Sequence, residues 1–321
     1  MDTTLTRART STAGDPGTAD RTVRPAPPAP VSRGVRRITL DAAGVTLSAL
    51  LSEPEHVPPR ATVVAVHGGG MSAGYFDGQA RPEQSLLTLG AELGYTVLAV
   101  DRPGYGLSAG QLPDGMTLAE QTVAVRAALA DFASGHDIGA GFLLLAHSFG
   151  GKLALCVGAH LSGPDERLLG LDISGCGHRY AISPALVPQK RRNTSRHWGP
   201  LRLYPPDTFR SSGPLVAPMP TREAEELDRW PLLFQTVAPR VRVPVRLTFA
   251  EYERWWNQGD EDLADLSARL TAAPRVVVDR QMDAGHNISL GWAARSYHLR
   301  SLAFLEDCVS WSGRRSAAAH S

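Results

Sequence analysis

Short apolar runs recur along this chain, separated by stretches whose apolar positions repeat at helical spacing. Residues 37–54, RITLDAAGVTLSALLSEP, alternate apolar and polar positions on either side of Ala43 and Gly44, which predicts an antiparallel hairpin at a sheet edge. ATVVAVHGGG (61–70) predicts a β-branched, buried strand ending in glycines, and PEQSLLTLGAELG from Pro82 predicts a helix. YTVLAVDRPGYGLS (95–108) gives a second buried strand with a glycine-rich exit, followed by a helix in TLAEQTVAVRAALADFAS (117–134). GFLLLAHSFGG (141–151) then reads as a central strand that runs straight into a serine and a glycine-rich helix start. RLLGLDIS (167–174), VPVRLTFA (243–250) and RVVVDRQM (275–282) supply the remaining strands. Strands alternating with helices imply right-handed crossovers, hence an α/β fold with a doubly wound, mostly parallel sheet.

One interval breaks the alternation. Roughly 65 residues between Gly175 and Arg242 carry no strand signal, too many for a connecting loop, and include the helical TREAEELDRWPLLFQTV. They predict a mainly helical cap inserted over the carboxyl edge of the sheet. The expected organisation is a disordered tail over 1–35, a core over 36–175 and 242–312, a cap over 176–241 and a flexible tail over 313–321. No internal repeat is present.

Composition narrows the picture only slightly. With 321 residues, 43% hydrophobic and 20% charged, the chain can form a full-sized core, and its net charge of +1 offers no global attraction to nucleic acid or an anionic membrane. Cys156, Cys176 and Cys308 are odd in number and widely spaced, so neither a disulfide framework nor a zinc pattern follows, and Cys156, on the helix after Ser148, reads as a reduced buried thiol. The first 35 residues hold no apolar stretch that could act as a signal-peptide core or membrane span, so the expectation is a cytoplasmic protein. Their Arg/Thr/Ser bias faintly resembles a transit peptide, but Asp2, Asp15, Asp20 and the PAPPAP run count against one.

The chemistry concentrates at Ser148. A serine in so sharp a strand-to-helix turn stands at the carboxyl edge of the sheet in a strained conformation, and the next residue, Phe149, offers a backbone N–H to a developing oxyanion. Gly150 and Gly151 let strand and helix approach closely.

HGGG at 67–70, DRPGYGLS at 101–108, AHSFGG at 146–151 and DAGHNISL at 283–290 occur in an order that resembles the α/β-hydrolase superfamily, over about residues 37–310. The resemblance implies a second oxyanion donor at the backbone of Gly69 or Gly70, a structural bracing role for Asp101 and Arg102, and His286 as general base. A neutral imidazole must take the serine proton as it attacks and return it to the leaving group. His67 and His147 sit in the wrong places for that task and are expected to pack or hydrogen-bond. The resemblance also places the triad acid just after VPVRLTFA. There the chain reads Ala250, Glu251, Tyr252, Glu253, so Glu253 is the first choice, with Glu251, Asp260, Asp172 or a site after the earlier strand left open. Ala146 stands where the family commonly has the first glycine of G-x-S-x-G. A serine at 148 departs from the relatives that use a carboxylate or cysteine nucleophile.

The activity implied is hydrolysis of an ester, thioester or lactone through an acyl-enzyme on Ser148, without a cofactor. A non-hydrolytic relative (a ligand receptor, lyase or cyclase) and an amide hydrolase resembling proline peptidases remain open. Aromatic residues at 198, 204, 230, 252, 255 and 256 suggest a large apolar acyl chamber, with Tyr252, Trp255 and Trp256 as substrate-binding residues. From Ile173 to Pro206 there is no Asp or Glu, yet Arg179, Lys190, Arg191, Arg192, Arg196 and Arg202 are present. Such a field would attract a small anionic acyl substrate, or one held on an acidic carrier protein in a biosynthetic pathway.

Overall fold

The computed structural model describes residues 29–160, 167–183 and 196–319. Eight strands, β1 (Arg36–Asp41), β2 (Thr46–Ser52), β3 (Thr62–Val66), β4 (Thr96–Val100), β5 (Phe142–His147), β6 (Leu168–Ser174), β7 (Val245–Ala250) and β8 (Val276–Gln281), form one sheet in the order β1-β2-β4-β3-β5-β6-β7-β8. β1 pairs with β2, and β2 with β4, in antiparallel register, while every later pairing is parallel. The β1–β2 hairpin closes through Ala43 and Gly44, both at positive φ, between reciprocal hydrogen bonds of Ala42 and Val45. Right-handed strand twist favours a two-residue turn of this kind.

Alternation along the central strands feeds two core layers. Val64, Val66, Leu144 and Ala146 face one layer with α2 (Leu118–Gly135) and α3 (Phe149–His160). Val63, Ala65, Leu143 and Leu145 face the other with α1 (Leu86–Glu92) and Leu302, Phe304 and Leu305 of the last helix. A strand that is apolar on both faces therefore sits at the centre of the sheet, and β5 carries Ser148 to its carboxyl edge. The start of α2 has a full capping box, with the Thr117 and Glu120 side chains each bonded to the other's backbone N–H.

The described part of the insertion between β6 and β7 is helical: short turns, then α4 (Thr221–Val237) with Trp230 and Phe234 buried. After β7 come α5 (Asp260–Ala268), β8 and α6 (Ala294–Ala319). Two expected boundaries shift. Residues 29–35 are docked and not part of a loose tail: the Ser32 N–H donates to the Asp77 carboxylate at 2.9 Å, Val35 is buried, and Ala29 and Val31 pack against the second layer. At the other end, α6 continues past 312 to Ala319, as its arginine and alanine residues favour. No helix among the described residues is long and apolar enough to cross a membrane.

Candidate active site

Ser148 occupies the single residue between β5 and α3 and has φ +53°, a left-handed conformation uncommon for a residue with a side chain. Its N–H donates to the Ser174 carbonyl at 2.8 Å and its carbonyl accepts from the Gly151 N–H at 2.9 Å, so the neighbouring strand and the helix together hold the turn. The sequence leaves no choice behind it. A Cβ at Gly150 would lie 2.4 Å from the Val66 carbonyl oxygen, and one at Gly151 would lie 2.6 Å from Ile173 Cγ2. Ala146 is fully buried beside Val66 and Ile173, so alanine fits there.

His286 lies in the loop after β8, buried, with its ring against Gly175, where a Cβ would come within 2.9 Å of Nδ1. That nitrogen is 2.7 Å from Oε2 of Glu253. Oε1 of the same carboxylate accepts the backbone N–H groups of Arg254 and Trp255 at 3.0 and 2.9 Å. Burial opposes the charge on Glu253, but His286 and these two N–H groups outweigh it and hold the carboxyl below its usual range. The other acids are placed elsewhere. Glu251 is exposed and accepts from the Asp283 N–H, Asp172 is buried against Arg246 at 2.8 Å, and Asp260 is on the surface with Arg280. A tight turn in which the Glu253 N–H donates to the Ala250 carbonyl curls the chain so that Glu253 faces inward.

Ser148 and His286 open on one cavity of ≈ 50 Å³, which Gly69 and Phe149 also line. The Phe149 N–H, at the first turn of α3, and the Gly69 N–H have no partner among the described residues. A Cβ at Gly69 would be 3.8 Å from that of Phe149, so the two residues are neighbours in the cavity wall. Gly70 does not join them. Its N–H donates to the Tyr105 hydroxyl at 3.0 Å and its carbonyl accepts from Ala217 of the insertion, because its positive φ turns the peptide away from the cavity.

Of the expected substrate-contacting aromatics, Trp255 and Trp256 line the cavity and Tyr252 does not. Tyr252 points to the opposite side of its turn, packs with Trp198, Leu203 and Tyr204, and accepts a hydrogen bond from Arg202. Trp198 and Tyr204 are packed with Phe209, and Trp230 is wholly buried, so four of the six aromatics lie outside the cavity wall and the chamber is narrow. The cationic run is also divided. Arg179 is paired with Asp262 and Asp265 of α5, Arg202 serves Tyr252, and Lys190, Arg191 and Arg192 lie outside the described residues.

Three cavity residues had no motif to announce them. His197 of the insertion has its ring centroid 6.1 Å from that of His286, and burial, followed by the neighbouring His286, pushes its pKa to about 3. It is therefore neutral. Lys152 and Tyr180 form part of the wall. His67 and His147 are structural, as expected: His67 accepts the Arg102 N–H at Nε2, and His147 stacks on Tyr75 and bonds Ser174. Asp101 and Arg102 brace the loops, Asp101 through Ala73 and Ser48, Arg102 through the His67 and Gly68 carbonyls and an enclosed ion pair with Glu223 of α4.

A parallel-sheet core with a serine at its strand-to-helix turn, a histidine–carboxylate pair and free N–H groups on one cavity defines the class of α/β-hydrolase-fold proteins. Residues 63–297 match the model of the alpha/beta hydrolase family, and the chain belongs to that family. A comparison with curated proteins found no match. Among solved structures, the enol-lactonase from Burkholderia xenovorans LB400 is 15% identical at TM-score 0.63, covering 84% of this chain and 100% of that one. An AqdC variant described by its ring-cleavage of the Pseudomonas quinolone signal is 17% identical at TM-score 0.62, covering 85% and 99%. The thioesterase domain from the curacin biosynthetic pathway is 16% identical at TM-score 0.56, covering 83% and 99%. At these identities the likeness is one of fold. Family and fold make the chain a hydrolase-type protein.

Proposed function

We propose that the protein is a serine hydrolase that cleaves a small carboxylic ester, thioester or lactone through an acyl-enzyme on Ser148. The observation that carries this reading is the buried 2.7 Å pair of His286 and Glu253 opening on the same cavity as the strained Ser148. With Glu253 holding the proton on Nδ1, Nε2 of His286 is left to accept the Ser148 proton as Oγ attacks the acyl carbon. The oxyanion that forms is received by the N–H groups of Phe149 and Gly69, which need no reorganisation because nothing else claims them. His286 returns the proton to the leaving alcohol or thiol, and water, activated by the same imidazole, releases the acid. A narrow cavity suits a short acyl group. Its wall is apolar on the Trp255, Trp256, Met71 and Leu227 sides, and the insertion acts as the cap.

Labelling with a fluorophosphonate, with a panel of p-nitrophenyl and thioester substrates, tests the reading. Label is expected on Ser148, and Ser148→Ala should lose both label and turnover while keeping its melting temperature within a few degrees. Unlabelled wild-type protein that turns over none of the panel would overturn it in favour of a non-hydrolytic member of the fold.

A further inference from the structure

Lys152 is 1% exposed, on the first turn of α3 beyond Ser148, and lines the cavity. An ammonium group has three N–H donors to place. Here one goes to the Tyr180 oxygen at 2.6 Å, and among the described residues no carboxylate lies within ion-pair distance of it. Its remaining neighbours are ring faces, with the centroids of Phe149, Tyr180, Trp230 and Trp256 at 5.2 to 5.6 Å. These faces favour a cation, but they do not accept as an anion's oxygen does. The nearest acids are committed: Glu223 to Arg102 and Tyr105, Glu226 to Arg229. Because Tyr180 receives its hydrogen bond from Lys152, its own O–H remains to be donated, and among the described residues nothing accepts it. The indole N–H of Trp255, in the same wall, is buried with no acceptor. Donors and one positive charge thus face a cavity that supplies no counter-charge.

We infer that Lys152 and Tyr180 form an anion subsite in the active-site cavity, and that the acyl part of the substrate carries a carboxylate there. This rests on the hydrolase reading and names its substrate class. Lys152 is four residues after Ser148, one helical turn away, and a helical side chain leans back toward the helix N-terminus. Both residues line the one small cavity, so the carboxylate is held within the span of a short acyl chain from the carbon under attack, the reach of a short dicarboxylic half-ester or half-thioester. A lysine kept only for packing would be a buried charge without an ion-pair partner, eased only at longer range by Glu223 and Glu226. Burial pushes its pKa down to about 8, which is the cost the free protein carries for keeping it.

The test compares mono-p-nitrophenyl glutarate with p-nitrophenyl pentanoate, which have acyl chains of equal length and differ in the terminal carboxylate. Wild type should favour the glutarate in kcat/KM by about 10- to 100-fold, the range for one hydrogen-bonded charge pair. Lys152→Met, which replaces a buried charge with an apolar chain of similar length, should bring that ratio to one or below, and Tyr180→Phe should give an intermediate value. Free glutarate, titrated by calorimetry into Ser148→Ala, reads the subsite without turnover and should lose its binding in Ser148→Ala/Lys152→Met. A wild-type ratio at or below one, or equal glutarate affinity with and without Lys152, overturns the inference. The two readings fail separately. Glutarate bound through Lys152 in a protein that is not labelled at Ser148 removes the hydrolase reading alone, whereas Ser148-dependent turnover of the pentanoate with no glutarate binding removes the anion subsite alone.

Discussion

Replacing Glu253 with glutamine is the sharpest probe of the triad, because the structure allows the new amide two orientations and each fails differently. In one, the amide oxygen keeps the Arg254 and Trp255 N–H groups and the NH₂ faces Nδ1 of His286. Nδ1 must then be an acceptor, so the ring carries its proton on Nε2 and cannot take one from Ser148. In the other, the oxygen stays on the histidine and the NH₂ confronts two backbone donors, leaving the buried Trp255 N–H without an acceptor at about 1–3 kcal/mol and the part-buried Arg254 N–H displaced as well. The second cost exceeds that of a tautomer change, so the first orientation wins. The fold survives and the histidine holds the wrong tautomer. A fall in kcat of about 10⁴-fold is expected, the size seen when the corresponding carboxylate of a serine protease is amidated. Glu251→Gln is the matched control: its exposed side chain accepts only the Asp283 N–H, which an amide oxygen also does, so kcat and melting temperature should stay near wild type. Turnover of a p-nitrophenyl ester at neutral pH, with a thermal melt of each variant, decides the matter. Glu253→Gln retaining a tenth or more of wild-type kcat, or Glu251→Gln falling as far, would refute the assignment.

Two further outcomes are expected. Gly150→Ala puts a Cβ within 2.4 and 2.6 Å of the Val66 and His67 carbonyl oxygens, both on rigid backbone, and should cost about 3 kcal/mol or more in denaturant unfolding, while Gly110→Ala, with nothing within 4 Å, should change stability by less than about 0.5 kcal/mol. Glu223→Leu leaves the Arg102 guanidinium buried and unpaired and should cost about 3–5 kcal/mol, of which Arg102→Met/Glu223→Leu should recover a part; additive losses in this cycle would mean that the two residues do not act as a pair.

Sequence pattern reached the fold because its central strands are apolar on both faces, its edge hairpin alternates and its turns carry glycine, features set locally. Ser148, Phe149 and His286 were legible for the same reason: each lies within a short motif whose backbone path the motif itself dictates. The acid was narrower than a motif could decide. Glu251 and Glu253 are two residues apart, which in a strand would put them on one face, and only the turn closed by Ala250 separates an exposed carboxylate from a buried one. Gly69 and Gly70 divide over the hydroxyl of Tyr105, 35 residues away, which claims one of two N–H groups that sequence cannot tell apart. Lys152 sits in an apolar helix, where a lysine ordinarily marks the solvent side. It is buried because Tyr180, Trp230 and Trp256 close over it, and these come from three separate parts of the chain.

That closure gives the insertion more to do than cover the cavity. Glu223 of α4 takes the Arg102 guanidinium and, at 2.8 Å, the Tyr105 hydroxyl. Tyr105 in turn holds the Gly70 N–H, and Arg102 holds the carbonyls of His67 and Gly68. Both ends of the glycine loop are therefore fixed by one carboxylate that the insertion supplies, and Gly69, the proposed oxyanion donor, lies between them. Burial opposes the charge on Arg102, but Glu223 and Tyr105 outweigh it, so the guanidinium keeps its charge. An insertion that moved with α4 would carry Gly69, the proposed oxyanion donor, out of place, and would then decide whether the proposed catalytic arrangement around Ser148 is assembled. Loosening Glu223 should accordingly lower kcat as well as stability. A substitution such as Leu232→Ala, on the exposed side of the same helix, should alter neither.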